Sequence, residues 1–89
     1  MTYVVKTPFE VDRPISGSDP DVRSLRRMPG FIRLESDPFH RGRYELTFEV
    51  EGGSLRDATD AAEELMVEYR DALGAYHPRL LEAVAPAAM

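Results

Sequence analysis

Five carboxylates recur along one predicted helix at spacings of three and four residues, which places them on a single helical face. They are Asp57, Asp60, Glu64, Glu68 and Asp71. Like charges at these spacings repel one another, and only Arg56 and Arg70 lie on the same helix to offset them. A stripe of one charge sign can dock a cationic protein partner. The sequence therefore offers these five side chains as a candidate partner-binding surface.

The same stripe has two other interpretations. It could pair with three arginines of a shorter predicted helix, within one chain or across a homodimer; these are Arg23, Arg26 and Arg27. It could also be a solvated face that keeps an acidic protein soluble, which is the more ordinary use of exposed charge. A calcium or magnesium site is not expected, because a straight helix cannot wrap the roughly six to eight oxygens that Ca²⁺ takes.

A second group of side chains falls in and beside a loop between two predicted strands: Phe39, His40, Arg41, Arg43 and Tyr44. An aromatic ring flanked by cations can stack on a ring or hold an anion, and loops carry function more often than strands do. This group is a possible ligand-binding site. In the more ordinary alternative, Phe39 folds back to plug one end of the core while the arginines solvate the loop.

Other residues with reactive side chains form no recognisable constellation. The chain has no cysteine, which excludes disulfides, zinc–thiolate sites and cysteine nucleophiles. His40 and His77 are the only histidines, and they lack the spacing of a metal-ligand pair. No serine lies in a Gly-x-Ser-x-Gly turn. The sequence thus favours a protein that is not an enzyme, with no catalytic residue, metal or cofactor.

Charge and hydropathy narrow the class of partner. The net charge is −5, from 11 basic and 16 acidic residues, so a nucleic-acid partner is not expected. A nucleic-acid binder would have to bring together Arg23, Arg26, Arg27, Arg41 and Arg43. No apolar run approaches the ~18–20 residues that cross a bilayer, and the first residues do not resemble a secretory signal. We therefore expect a cytoplasmic protein that is not embedded in a membrane.

Hydrophobic periodicity predicts the strands that position these side chains. Alternating apolar residues indicate strands at Tyr3–Val11, Phe31–Glu35 and Arg43–Glu51. Ile32 and Leu34 are expected to face inward in the second of these. The third is the most regular, with apolar and polar residues alternating along its whole length. Its polar face must meet water or a polar partner, so we expect a sheet that is covered on one side only.

Two helices are predicted between and after these strands. The first begins at a cap provided by Ser18 or Asp19 and runs to Met28, where Pro-Gly follows. The second occupies about Leu55–Leu73 behind a cap at Ser54, with apolar residues at spacings of three and four. The first helix is short, so packing rather than intrinsic propensity must hold it.

The order of these elements resembles the ferredoxin-like split βαβ arrangement. We expect a single α+β domain over residues 1–89, ordered from about residue 3 to 85. It would be a two-layer sandwich of two helices on one face of an antiparallel sheet of three or four strands. The third strand should lie between the first two and antiparallel to both. Residues 78–85 suit either a short helix or an edge strand, and residues 86–89 are expected to fray.

The sequence therefore predicts a small, non-catalytic protein-interaction or assembly module that uses the acidic helix face. Self-association is expected because a domain of this size buries only a modest core, and its partner would be another protein or a second copy. The alternative is a small-molecule-binding or catalytic domain of the same fold with a cleft near the hairpin loop. That alternative requires a pocket of at least ~300 Å³ with convergent polar groups.

Overall fold

The computed structural model describes residues Met1–Met89. Its elements are β1 (Thr2–Glu10), α1 (Pro20–Leu25), β2 (Phe31–Ser36), β3 (Arg43–Glu51), α2 (Leu55–Ala72), β4 (Arg79–Leu80) and β5 (Ala87–Ala88). The strands form one five-stranded sheet in the order β2-β3-β1-β4, with β5 also paired to β1. Every pairing is antiparallel. The α+β class is confirmed, and β3 lies between β1 and β2 as the sequence predicts.

The core lies on one face of the β1–β3 pair. Alternating residues of the two strands point to the same side, so Val5 stands opposite Phe48 and Thr7 stands opposite Leu46. All four of these side chains are buried. Buried residues of both helices join the same apolar cluster. The two helices therefore cover the apolar face of the sheet.

The long helix α2 begins and packs as its sequence indicates. The Ser54 side chain caps it by accepting a hydrogen bond from the Asp57 amide at 3.2 Å. Tyr69 is fully buried on its inner face, with its ring centroid 5.1 Å from that of Phe48. The Tyr69 hydroxyl donates to the Pro29 carbonyl at 3.1 Å, and burial raises the pKa of Tyr69 to about 12. Neither helix combines the length and apolar character needed to cross a bilayer.

The short helix α1 differs from its prediction at both ends. Asp19, rather than Ser18, is the cap, and its carboxylate accepts from the Asp21 amide at 2.9 Å. The helix ends at Leu25, so Arg26 and Arg27 lie beyond it instead of in its last turn. After Leu25 the amides bond to carbonyls three residues back, which tightens the chain into a turn. The following Pro29 disfavours helical geometry at Met28, so the helix does not resume after this turn.

A β-bulge makes the predicted inward orientation of Ile32 in β2 wrong. Phe31 pairs with Phe48 and Arg33 pairs with Thr47, so Ile32 is an extra residue in the ladder. Ile32 is 40% exposed rather than turned inward. Phe31 takes the inward place, and Leu34 packs on the core as expected. Strict alternation cannot reveal a bulge, because the inserted residue shifts the facing of everything before it.

The C-terminal tail is an interrupted edge strand and not a helix. β4 pairs Leu80 with Phe9, and β5 pairs Ala87 with Val4. The Leu81 amide donates to the Pro8 carbonyl at 3.0 Å. Proline offers the tail an acceptor but no donor at this point, which accounts for the gap between the two short strands. Residues 86–89, expected to fray, thus contribute a pairing at the start of β1.

Gly30, between α1 and β2, has a left-handed backbone conformation that residues with a side chain rarely adopt. Its φ is +76°, and a β-carbon there would lie 2.2 Å from the Glu49 carbonyl oxygen. The Gly30 carbonyl also accepts from the Glu49 amide at 2.8 Å. A backbone oxygen so near cannot move without breaking the β2–β3 ladder. Only glycine, which has no β-carbon, can therefore occupy this position so close to the Glu49 backbone.

We expect Gly30→Ala to lower the free energy of unfolding by at least about 2 kcal/mol, because it adds left-handed strain to a backbone clash. Urea denaturation followed by circular dichroism measures the change. Gly17→Ala is the matched control, since no atom lies within 4 Å of a β-carbon at that position. The control should leave stability unchanged or raise it by about 0.4–1 kcal/mol. Equal effects of the two substitutions would contradict this account.

Candidate functional site

The five carboxylates of the acidic stripe (Asp57, Asp60, Glu64, Glu68 and Asp71) are all exposed on α2. The chain contains four ion pairs and two His–Asp contacts, and none of them uses a residue of α2. The buried residues of the helix, such as Ala62 and Tyr69, lie on its opposite face. The stripe is therefore a continuous anionic surface that takes no part in holding the fold together.

Pairing of this stripe with the short-helix arginines inside one chain is contradicted. Arg23, Arg26 and Arg27 are exposed and belong to no ion pair. Two uncompensated surfaces of opposite sign thus coexist on the molecule. Pairing of the stripe with these arginines between two chains is not tested by contacts within one chain and stays a prediction.

One exposed apolar side chain accompanies the acidic stripe. Val67 is 48% exposed and lies one helical turn from both Glu64 and Asp71. Leu55 is also exposed at the start of the helix, but helical periodicity places it on the opposite side, in line with the buried residues Ala58 and Ala62. A partner docked on this face would meet apolar surface beside the carboxylates, and protein interfaces combine these two kinds of contact.

The hairpin loop between β2 and β3 is tightly hydrogen-bonded. The Asp37 amide donates to the Arg43 carbonyl at 2.8 Å, and the Asp37 carboxylate accepts from the Phe39 amide at 2.8 Å. The second oxygen of that carboxylate lies 3.3 Å from the His40 Nδ1. The Phe39 amide, followed by His40, holds the pKa of Asp37 below its usual value. The carboxylate therefore organises the loop in its ionised form.

The ring of Phe39 stands out from this loop into solvent. It is 88% exposed, so the interpretation in which it plugs the core is wrong. The Asp37 turn fixes its backbone amide and holds the ring away from the sheet. A single exposed apolar side chain is common on protein surfaces, so Phe39 by itself does not mark an interaction site.

A cleft of about 600 Å³ lies between this loop and the loop that follows β1. Four of the predicted ligand-binding residues line it: His40, Arg41, Arg43 and Tyr44. Phe39 does not line it, so the structure separates the aromatic ring from the cations beside it. Arg13 joins the lining from the other loop. Sequence reasoning misses Arg13 because only the tertiary structure brings the two loops together.

Most polar groups around the cleft are already engaged within the fold. The Arg43 guanidinium lies 3.1 Å from a Glu10 carboxylate oxygen, and Arg79 bonds the other oxygen. Arg79, followed by Arg43, lowers the pKa of Glu10. The Arg13 guanidinium lies 4.9 Å from the centre of the Tyr76 ring. Of the predicted cations, only Arg41 has no ion-pair partner in the chain.

A second open groove, of about 580 Å³, runs between α1 and the free edge of β2. Its apolar lining includes Val22, Leu25, Phe31 and Leu34. Sequence patterns do not reveal this groove, because it depends on the early end of α1 and on the β2 bulge. No group of three histidine, aspartate or glutamate side chains converges as metal ligands would.

We expect the Phe39 loop to loosen in acid. The lowered pKa of Asp37 means that its ionised form stabilises the loop above the ordinary value of 3.8. That contribution is lost as the pH falls through the lowered folded-state value. Asp37→Ala should remove it at neutral pH, and Asp37→Asn should keep the acceptor but lose the acid dependence. Hydrogen exchange at the Phe39 amide measures the effect, and equal protection in all three proteins would contradict it.

The chain matches no protein-family model, and comparison with curated proteins and with solved structures found no similar protein. What the molecule does is therefore inferred from its own residues.

Proposed function

We propose that this chain is a small, non-catalytic protein-interaction module that docks a cationic protein surface on the acidic stripe of α2 and that also self-associates. The observation that carries the proposal is that all five stripe carboxylates are exposed and none takes part in an ion pair within the chain. A partner therefore does not have to break any internal pair to bind them. The fold we infer is the ferredoxin-like sandwich, which the strand order β2-β3-β1-β4 supports.

The exposed Val67 beside the stripe favours a protein partner over a simple counter-ion atmosphere. Charge alone steers a partner and sets the orientation of binding. Burial of Val67 would add affinity that does not depend on salt. A lysine- or arginine-rich amphipathic helix carries the complementary combination of charge and apolar surface.

Binding of a lysine-rich amphipathic peptide tests this docking surface by isothermal titration calorimetry. We expect Glu64→Arg with Glu68→Arg to weaken binding by roughly tenfold or more, because each reversal turns attraction into repulsion. The change should shrink at high salt. Both positions are exposed, so the fold should be retained.

Glu45→Arg with Glu49→Arg is the matched control. These two glutamates are exposed on β3 at the far face of the sheet, and the control changes the net charge by the same amount. It should retain most of the affinity. If both double variants lose affinity equally, the peptide responds to net charge alone, and docking on α2 is rejected.

A second candidate function, binding of a small organic anion, is favoured by the cleft at the hairpin loop. Its volume of about 600 Å³ lies within the range of known small-molecule sites, roughly 300–1,000 Å³. The exposed Arg41 has no ion-pair partner there, and Arg13 faces it across the cleft. Because the remaining charges are already paired, we rank this function below protein docking.

Titration with benzoate and with inorganic phosphate, followed by NMR, tests the cleft. A ligand site should give saturable shifts of the Arg13 and Arg41 side-chain resonances. In Arg41→Gln, the shift of the Arg13 resonances should be lost. Arg23→Gln, an equal charge change on α1, should not affect the shifts. Shifts that grow linearly without saturation, or that survive Arg41→Gln, would dispose of this candidate.

A further inference from the structure

β2 is one edge of the sheet, and the short strands β4 and β5 form the other. β2 pairs with β3 on one side only, and no strand covers its other side. Ile32, Arg33, Glu35 and Ser36 are all exposed along it. A free edge presents unpaired backbone donors and acceptors, which another strand can satisfy. The question is which strand would fit this edge.

The sequence of β2 is complementary to itself in one antiparallel register. When two copies pair about a two-fold axis with their cores on the same side, one residue of β2 lies on the axis. An axis through Arg33 sets that arginine against itself, and an axis through Glu35 sets that glutamate against itself. An axis through Leu34 sets Arg33 of each copy against Glu35 of the other. This register alone joins opposite charges, and it does so twice.

The geometry of the single chain suits this register. Arg33 and Glu35 lie on one face of β2 and form an exposed ion pair within the chain, with the Arg33 Nε 2.8 Å from a Glu35 carboxylate oxygen, and pairing between copies would exchange this contact in each copy for two between chains. Both side chains are more than half exposed, so they can reach a second copy. The β-bulge lies at the Phe31 end of the strand. The segment from Arg33 to Ser36 is regular and pairs in order with β3.

Apolar surface adjoins the same edge. The groove between α1 and β2 exposes part of Phe31 and Leu34 beside the free backbone. In the Leu34-centred register the two copies bring their Leu34 side chains together on the core side. The two grooves between α1 and β2 then meet across the axis. Pairing would therefore extend the sheet and bury apolar surface in one step.

We propose that two copies of this chain associate through antiparallel pairing of their β2 edges, centred on Leu34, to form one continuous sheet. The inference rests on the self-association included in the proposed function and specifies its surface. It does not involve the acidic stripe of α2. The occupant of the edge is a second copy, because β2 is charge-complementary to itself.

Sedimentation equilibrium of the intact chain and three variants tests the proposal. We expect the unmodified chain to dimerise. Arg33→Glu and Glu35→Arg should each raise the dissociation constant by roughly tenfold or more, since two attractive cross-strand pairs become repulsive. The combined charge swap, Arg33→Glu with Glu35→Arg, should restore dimerisation. Circular dichroism confirms that each variant retains the fold.

Mixing the two single variants gives the sharpest result. One then carries two glutamates on β2 and the other two arginines, so a mixture should form heterodimers more strongly than either variant dimerises alone. A chain that stays monomeric, or a dimer that ignores all of these changes, would overturn the proposal.

The test of docking on the acidic stripe is independent of the test of β2 pairing. Glu64→Arg with Glu68→Arg should leave dimerisation unchanged, whereas Arg33→Glu should leave binding of the lysine-rich peptide unchanged. If dimerisation instead follows the α2 variant, the copies associate through the stripe, and β2 pairing is rejected.

Discussion

The contact between Tyr69 and Phe48 is the constraint on which the two-layer arrangement depends. It packs α2 against β3, one of the two strands that have a neighbour on both sides. The Tyr69 hydroxyl, buried with the ring, must find an acceptor, and it finds the Pro29 carbonyl at the turn between α1 and β2. One side chain thus fixes the helix, the central strand and the turn relative to one another. Burial also disfavours the charged phenolate, which raises the pKa of Tyr69 to about 12.

Two other tyrosines at the edges of the core also combine a packed ring with a hydrogen-bonded hydroxyl. The Tyr44 hydroxyl accepts from the Ile15 amide at 2.9 Å. The Tyr76 hydroxyl donates to the Asp19 carboxylate at 2.8 Å, which lowers the pKa of Asp19 and raises that of Tyr76. Each ring packs on the apolar cluster while its hydroxyl holds a loop. A small chain without disulfides can in this way keep ordered loops, including the walls of the hairpin cleft.

The features readable from the sequence are those set by short-range pattern. Strict alternation locates β3, and the Ser54 cap locates the start of α2, because both depend only on neighbouring residues. The bulge at Ile32 depends instead on how β2 meets β3 across the sheet. Likewise, the loop's own hydrogen bonds expose Phe39, and only the tertiary fold brings Arg13 to the cleft. The acidic stripe was readable because helical periodicity alone places it, whereas whether it is paired depends on every other charge in the chain.

We propose binding at α2 and at β2, rather than at the cleft, because of which groups already have partners within the chain. At the cleft, the charges of Glu10 and Arg43 neutralise each other, so a ligand must compete with an existing pair. On α2 the carboxylates of the stripe repel one another, and a cationic surface relieves that repulsion. At β2 the unsatisfied groups are backbone amides and carbonyls beside exposed apolar surface. A chain of 89 residues buries a limited core, so we expect the proposed pairing at the β2 edge to stabilise it by burying additional surface.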